Sequence, residues 1–137
     1  MKANELERVP ENKIGRVDQR GVFLNPHEAG TILYLTQFGL DIEVIRPTNT
    51  NKSRSADIVM LGTAWEIKSP TTSNISTIKE DFRKAMTQSD KIIFDLRRIK
   101  KDTENVEKQI LRIFKERGRV RRLMIISKDG KIIDFRK

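Results

Sequence analysis

Ala56-Asp57-Ile58-Val59-Met60-Leu61-Gly62-Thr63-Ala64-Trp65-Glu66-Ile67-Lys68 is the stretch on which the fold turns. Two runs of alternating character, roughly 56–61 and 64–68, flank Gly62-Thr63 and read as a β-hairpin. Glycine first in a two-residue turn fits type II′, which sets Leu61 opposite Ala64, Val59 opposite Glu66 and Asp57 opposite Lys68. Side chains alternate across a strand, so Asp57, Val59, Glu66 and Lys68 share one face and Ile58, Met60, Trp65 and Ile67 the other. A three-residue loop would invert that relation.

Outward from the hairpin, helices and strands interleave. Upstream, Asn25 as N-cap, Pro26 at the first helical position and Glu28 in the capping-box position open a helix that carries Ile32, Leu33, Leu35 and Phe38 and stops at Gly39. A short strand, 42–45, ends before Pro47, and Thr48 to Ser55 read as a polar loop. Downstream, the spacing of Ile75, Ile78, Phe82, Ala85 and Met86 predicts a helix over about 74–89. The continuous apolar run Ile92-Ile93-Phe94, with Leu96, suits a central strand over 91–96 buried on both faces. Val106, Ile110, Ile113 and Phe114 predict a helix over about 103–117 that ends at Gly118 as a C-cap. A last hairpin, 122–127 and 131–135, turns at Lys128-Asp129-Gly130. Residues 1–24, polar and aperiodic, read as a linker or loosely docked N-terminal arm before a single domain over 25–137. The order αβββαβαββ predicts an α/β (α+β) fold, a central mixed sheet flanked by helices.

Composition narrows the chemistry. The 137 residues include no cysteine and a single histidine, His27, which leaves out disulfides, thiolate sites and cysteine nucleophiles and disfavours a Ser-His-Asp arrangement. Oxygen ligands remain, and these suit Mg2+ or Mn2+, while Zn2+ also accepts carboxylates. No stretch reaches the roughly 18 apolar residues of a membrane span and the N-terminus lacks a signal-peptide core, so a soluble chain without a membrane anchor is expected. The net charge of +9 is concentrated: residues 1–96 hold 13 Lys/Arg and 13 Asp/Glu, residues 97–137 hold 15 and 6. Such a basic third attracts polyanions through counterion release, or serves as a solvated helix face.

On one strand face, residues two apart are about 6.6 Å from each other. Asp57, Glu66 and Lys68 therefore form a cluster on the scale of a metal site, where two carboxylates can hold a divalent ion and a lysine can steady a phosphate or an attacking water. The same spacing also fits a cross-strand ion pair worth roughly 0.2–1 kcal/mol. Glu28, at the edge of a core-facing helical stripe, is a further acid, although capping explains it equally well. His27 reads as an exposed first-turn residue. Thr87 and Gln88, closing the helix before the central strand, are auxiliary candidates. Lys52 and Arg54 in the polar loop, with Arg97, Arg98, Arg119, Arg121 and Arg122, are candidate nucleic-acid contacts.

Glu28 on a helix, Asp57 on a strand and Glu66-Ile67-Lys68 on its hairpin partner resemble the PD-(D/E)XK nuclease superfamily, with Ala56 in place of the proline. Trp65-Glu66-Ile67-Lys68-Ser69-Pro70, and Gln88 leading into Ile92-Ile93-Phe94-Asp95-Leu96, make the stretch from about Glu28 to Leu96 similar to the C-terminal tRNA nuclease toxin domains of contact-dependent growth inhibition proteins. The resemblance implies a restriction-endonuclease-like fold and a divalent-metal endonuclease. Glu28, Asp57 and Glu66 would be metal ligands, and Lys68 would orient water and stabilise developing charge. It further implies tRNA as substrate, delivery within a larger secreted or surface protein into the cytoplasm of a target cell, and a cognate immunity protein as partner. A DNA endonuclease of the same fold and a non-catalytic nucleic-acid-binding module are the alternative readings.

Overall fold

The computed structural model describes residues 1–46 and 56–137, so Lys52 and Arg54 lie outside the described residues. The central hairpin is formed by β4 (Ile58–Met60) and β5 (Thr63–Lys68), but its turn is Leu61-Gly62 rather than Gly62-Thr63. Both turn residues have positive φ, 55° and 74°, the signature of a type I′ turn, whose twist matches that of the flanking strands. Pairing is Ile58 with Trp65, Val59 with Ala64 and Met60 with Thr63. The register thus differs by two residues from the expected one, and Lys68 is not opposite Asp57. A shift of two preserves every side chain's face, which is why the separation into polar and apolar faces survives the wrong turn.

Six more strands complete the sheet: β1 (Lys2–Glu5), β2 (Val17–Asp18), β3 (Ile42–Val44), β6 (Lys91–Asp95), β7 (Arg122–Ile126) and β8 (Ile132–Arg136). Their spatial order is β1-β8-β7-β6-β5-β4-β3-β2, with β5, β6 and β7 mutually parallel, β2 parallel to β3, and the remaining neighbours antiparallel. The fold is therefore the mixed α/β arrangement expected, with two strands more. Both additions come from residues 1–24, expected as a linker or loosely docked arm. That segment pairs with β8 at one edge and with β3 at the other. All six of its strand residues are exposed, so apolar alternation, the usual signal of a strand, is absent and the backbone ladder alone defines them. Between the two strands the chain passes the C-terminal end of α1, where a Cβ on Gly15 would stand 1.9 Å from the Leu40 carbonyl oxygen. Only glycine permits that approach.

Helix α1 (Pro26–Thr36) packs on one face of the sheet, and α2 (Ile75–Met86) with α3 (Glu104–Glu116) on the other. Ile32 and Leu35 of α1 bury against Ile58, Met60, Trp65 and Ile67, while Leu33 points to solvent. Ile78, Phe82, Ile110 and Phe114 bury against Ile92, Phe94, Leu123 and Ile125. Strand β6 sends Ile93 into the first core and Ile92 and Phe94 into the second, as its apolar run predicts. The end of α3 differs from expectation. Its C-cap, Arg117, is extended, and Gly118 does not take the left-handed conformation of a glycine cap. No helix among the described residues is long and apolar enough to cross a membrane.

Candidate active site

At the end of the sheet where β5 finishes, β4 begins. One step before the Ile58–Trp65 pair, Asp57 comes level with Glu66, and its backbone is held on both sides: its N–H donates to the Trp65 carbonyl at 2.9 Å, and its carbonyl accepts from Ile45 N–H at 3.0 Å. The carboxylate also reaches β5, with Oδ2 accepting from Ile67 N–H at 2.8 Å. Three backbone-level contacts leave Asp57 little rotational freedom. They fix a carboxylate beside Glu66.

Glu66 is buried, its side chain 9% exposed, and Lys68 Nζ lies 3.6 Å from its Oε2. Its other oxygen, Oε1, has no hydrogen-bond partner, nor does the buried Ser69 hydroxyl next along the chain. A buried acceptor without a donor costs about 1–3 kcal/mol. Burial, then the negative charge of Asp57, push the Glu66 pKa up to about 8, against the opposing pull of Lys68. Without a cation to offset the two carboxylates, the site favours the protonated form of Glu66.

The overhanging N-terminus of α1 forms the opposite wall. Asn25 caps the helix by accepting from Glu28 N–H at 2.9 Å, and its amide nitrogen donates to the Glu28 carboxylate. The capping box is therefore real. Glu28 nevertheless lines the same cleft of about 260 Å³ as Asp57, Glu66 and Lys68, and burial, then the Asp57 charge, raises its pKa. His27 is exposed, as expected, but also lines the cleft, and its proximity partly offsets the rise at Glu28. Arg98 closes the rim, with Nη1 donating to the Ser69 carbonyl at 2.8 Å. Of these, His27 as a cleft residue, Asn25 and Ser69 were not chosen from sequence. Ser69 had one signal, its place directly after Glu66-Ile67-Lys68.

Among the described residues no three acidic or histidine side chains form a ready cage for a metal. The donor set nevertheless suits a hard cation. Two carboxylates face each other, one oxygen is orphaned, and burial, then the charge of Asp57, raises the pKa of both Glu66 and Glu28. Magnesium commonly takes only one or two carboxylates, with water and substrate phosphate completing its shell.

The other candidates separate by location. Thr87 ends α2, with its hydroxyl donating to the Lys84 carbonyl, and neither it nor Gln88 is among the residues of the cleft. They precede β6, whereas the cleft opens beyond the far ends of β5 and β6. Arg97 is committed elsewhere: it binds the buried Asp95 through Nε and Nη2 at 3.0 and 2.8 Å and lies over the Tyr34 ring at 3.9 Å. Arg122 likewise binds the buried Asp134, at 3.0 and 2.8 Å. Both arginines neutralise core acids, a use that cannot be seen without the fold. Arg119 and Arg121 are exposed but stand at the sheet's other end.

Known proteins place the fold. A solved chain described as "CdiA-CT/CdiI toxin and immunity complex from Burkholderia pseudomallei" superposes with a TM-score of 0.69 at 17% identity, covering 90% of this chain and 100% of that one. At that identity the likeness is one of fold. No curated protein matches the chain. The model of the family described as "Contact-dependent growth inhibition CdiA C-terminal domain" matches residues 54–132, a window that holds Asp57, Glu66, Lys68 and Arg98 but not α1. With more than half of its length matched, the chain belongs to the contact-dependent growth inhibition CdiA C-terminal domain family.

Proposed function

We propose that the chain is the nuclease domain of a contact-dependent toxin, of PD-(D/E)XK type, that cleaves tRNA with a divalent metal ion in the cytoplasm of a target cell. The observation that carries this reading is the Asp57–Glu66 pair, whose orphaned Oε1 and raised Glu66 pKa are hard to account for in a purely structural acid. Asp57 and Glu66 would hold Mg2+ or Mn2+, with Glu28 as a further oxygen donor from α1. When bound, such an ion polarises the phosphoryl oxygen and lowers the pKa of a coordinated water. Lys68, 3.6 Å from Glu66 and partly exposed, donates to the attacking water or to a non-bridging phosphate oxygen. Arg98 spends one donor on Ser69 and keeps the rest of its guanidinium fork for a neighbouring phosphate.

Family membership supports delivery as the terminal part of a larger secreted or surface protein. The toxin and immunity complex with the same fold supports a cognate immunity protein as partner of this chain too. The test is incubation of the purified chain with total tRNA in Mg2+, Mn2+ or Zn2+, with an EDTA control and a parallel arm of duplex and single-stranded DNA. Metal-dependent tRNA fragments are expected. Intact tRNA under all three metals would overturn the reading, and cutting of DNA alone would reassign the substrate.

A further inference from the structure

The positive charge of the last third does not form one surface. The fold divides it between the two ends of the parallel strands, and only one end carries the cleft. Arg98 follows β6 and lines the cleft. Lys115, Arg117, Arg119, Arg121 and Lys137 gather instead at the end where β6 and β7 begin. Arg121 N–H donates to the Asp90 carbonyl at 2.7 Å, Lys137 N–H to the Arg121 carbonyl at 3.3 Å, and Lys137 Nζ to the Arg117 carbonyl at 2.7 Å.

All five are exposed, and among the described residues none meets a carboxylate. The acids close by are already engaged: Asp90 with Lys91 at 2.9 Å, Glu116 with Arg112 at 3.4 Å, and Asp134 with Arg122 and Arg136. Lys137 is moreover held over the Phe114 ring at 4.4 Å, with burial and the Arg121 charge lowering its pKa. Like charges packed this way repel one another unless an external anion offsets them.

We propose that this group is a second nucleic-acid contact, a distal grip on the phosphate backbone separate from the cleft. From Asp90 to Leu96 is six strand steps, so the grip stands about 20 Å from the cleft end of the sheet. At about 3.4 Å per nucleotide along a stacked strand, one ligand touches both only if it spans about six nucleotides or folds back across that distance. The identity of the polyanion rests on the nuclease reading above. The substrate class follows: a nucleic acid long enough to span about six nucleotides, or folded so that it bridges both ends, rather than a shorter fragment.

The test measures binding of the whole chain to purified tRNA and to a four-nucleotide RNA in EDTA, across 50–200 mM salt, for the native chain and the double variant Arg119→Gln, Arg121→Gln. Thermal melting of both chains checks that the exposed substitutions leave the fold intact. The variant is expected to bind tRNA about tenfold more weakly, with a log–log salt slope smaller by about two, and to bind the tetranucleotide unchanged. Equal tRNA affinity and slope in the two chains would overturn the proposal, and would assign the cations to another partner or to solvation. Because binding is read without turnover, the distal grip and the nuclease reading can fail independently. A chain that binds tRNA through this patch but never cuts it would sink only the latter.

Discussion

Two kinds of buried acid occupy this sheet. Asp95 and Asp134, each 2% exposed, are met by forked arginines with paired contacts of 2.8–3.0 Å, and Asp95 accepts further from the Thr31 hydroxyl at 2.6 Å. Although burial opposes it, those contacts hold the Asp95 carboxyl below its ordinary range. Glu66 is nearly as buried, yet it has a lysine at 3.6 Å, a second carboxylate beside it and one oxygen without a partner, and it is pushed up to about 8. The first kind is closed and holds the fold together: Asp95 ties β6 to α1 through Thr31, and Arg97 lies on Tyr34 of the same helix. The second kind is open, with acceptor capacity to spare. A group left unsatisfied inside a protein is costly, and on the proposed reading its retention serves an external ligand.

Substitution should separate the two kinds. The largest effect is expected at the open acid: Glu66→Gln or Asp57→Asn should lower tRNA cleavage by at least about a thousandfold, or ~4 kcal/mol of barrier, with the circular dichroism spectrum unchanged. A variant that still cut at the native rate would remove Glu66 from the site. Next comes the closed pair. Arg97→Ala leaves Asp95 buried and unmatched and should cost about 3 kcal/mol in urea unfolding. By contrast, Lys68→Ala should cost less than about 1 kcal/mol of stability at pH 7, because its ammonium is partly exposed and stands 3.6 Å from Glu66, while cleavage is lost. Equal destabilisation by the two substitutions would erase the distinction.

The pH dependence has a definite sign. Glu66 rises from an ordinary value of 4.5 to about 8 on folding, so the folded chain binds more protons than the unfolded one between those values. Stability from this group is complete below pH 4.5 and falls as pH rises through 8. Glu66→Gln removes that loss and should stabilise the chain at pH 8.5, measured in EDTA, while leaving pH 4 nearly unaffected. Asp95 acts oppositely, since its lowered pKa contributes stability that is lost as pH falls below the ordinary carboxylate range. The smallest effect is expected at the rim. Arg98→Ala should weaken tRNA binding by less than about tenfold and lower the salt slope by about one.

Much of the site was legible because strand alternation is local. Asp57, Glu66 and Lys68 share a face whatever even shift the hairpin takes, and a turn misplaced by one residue at each strand end cancels in the parity. Likewise Asn25, Pro26 and Glu28 spell a capped helix start within four residues, and Ile92-Ile93-Phe94 spells a doubly buried strand. The edge strands were hidden for the converse reason. Lys2–Glu5 and Val17–Asp18 bury no apolar side chain, so nothing in their composition records the backbone pairing that defines them.

From the sequence alone came the residue types of the site, their common face, the central strand and the basic bias of the last third. Tertiary structure decided which of those charges are free. Arg97 and Arg122 read like Arg98 and Arg121, but the first two are taken by acids that folding buried, and the last two were left at opposite ends of the sheet. Local patterns fix which way a side chain points from its own backbone. What it meets there depends on segments distant in the chain, and in a medium where a bare charge is costly, that meeting separates structural charges from those available to a ligand.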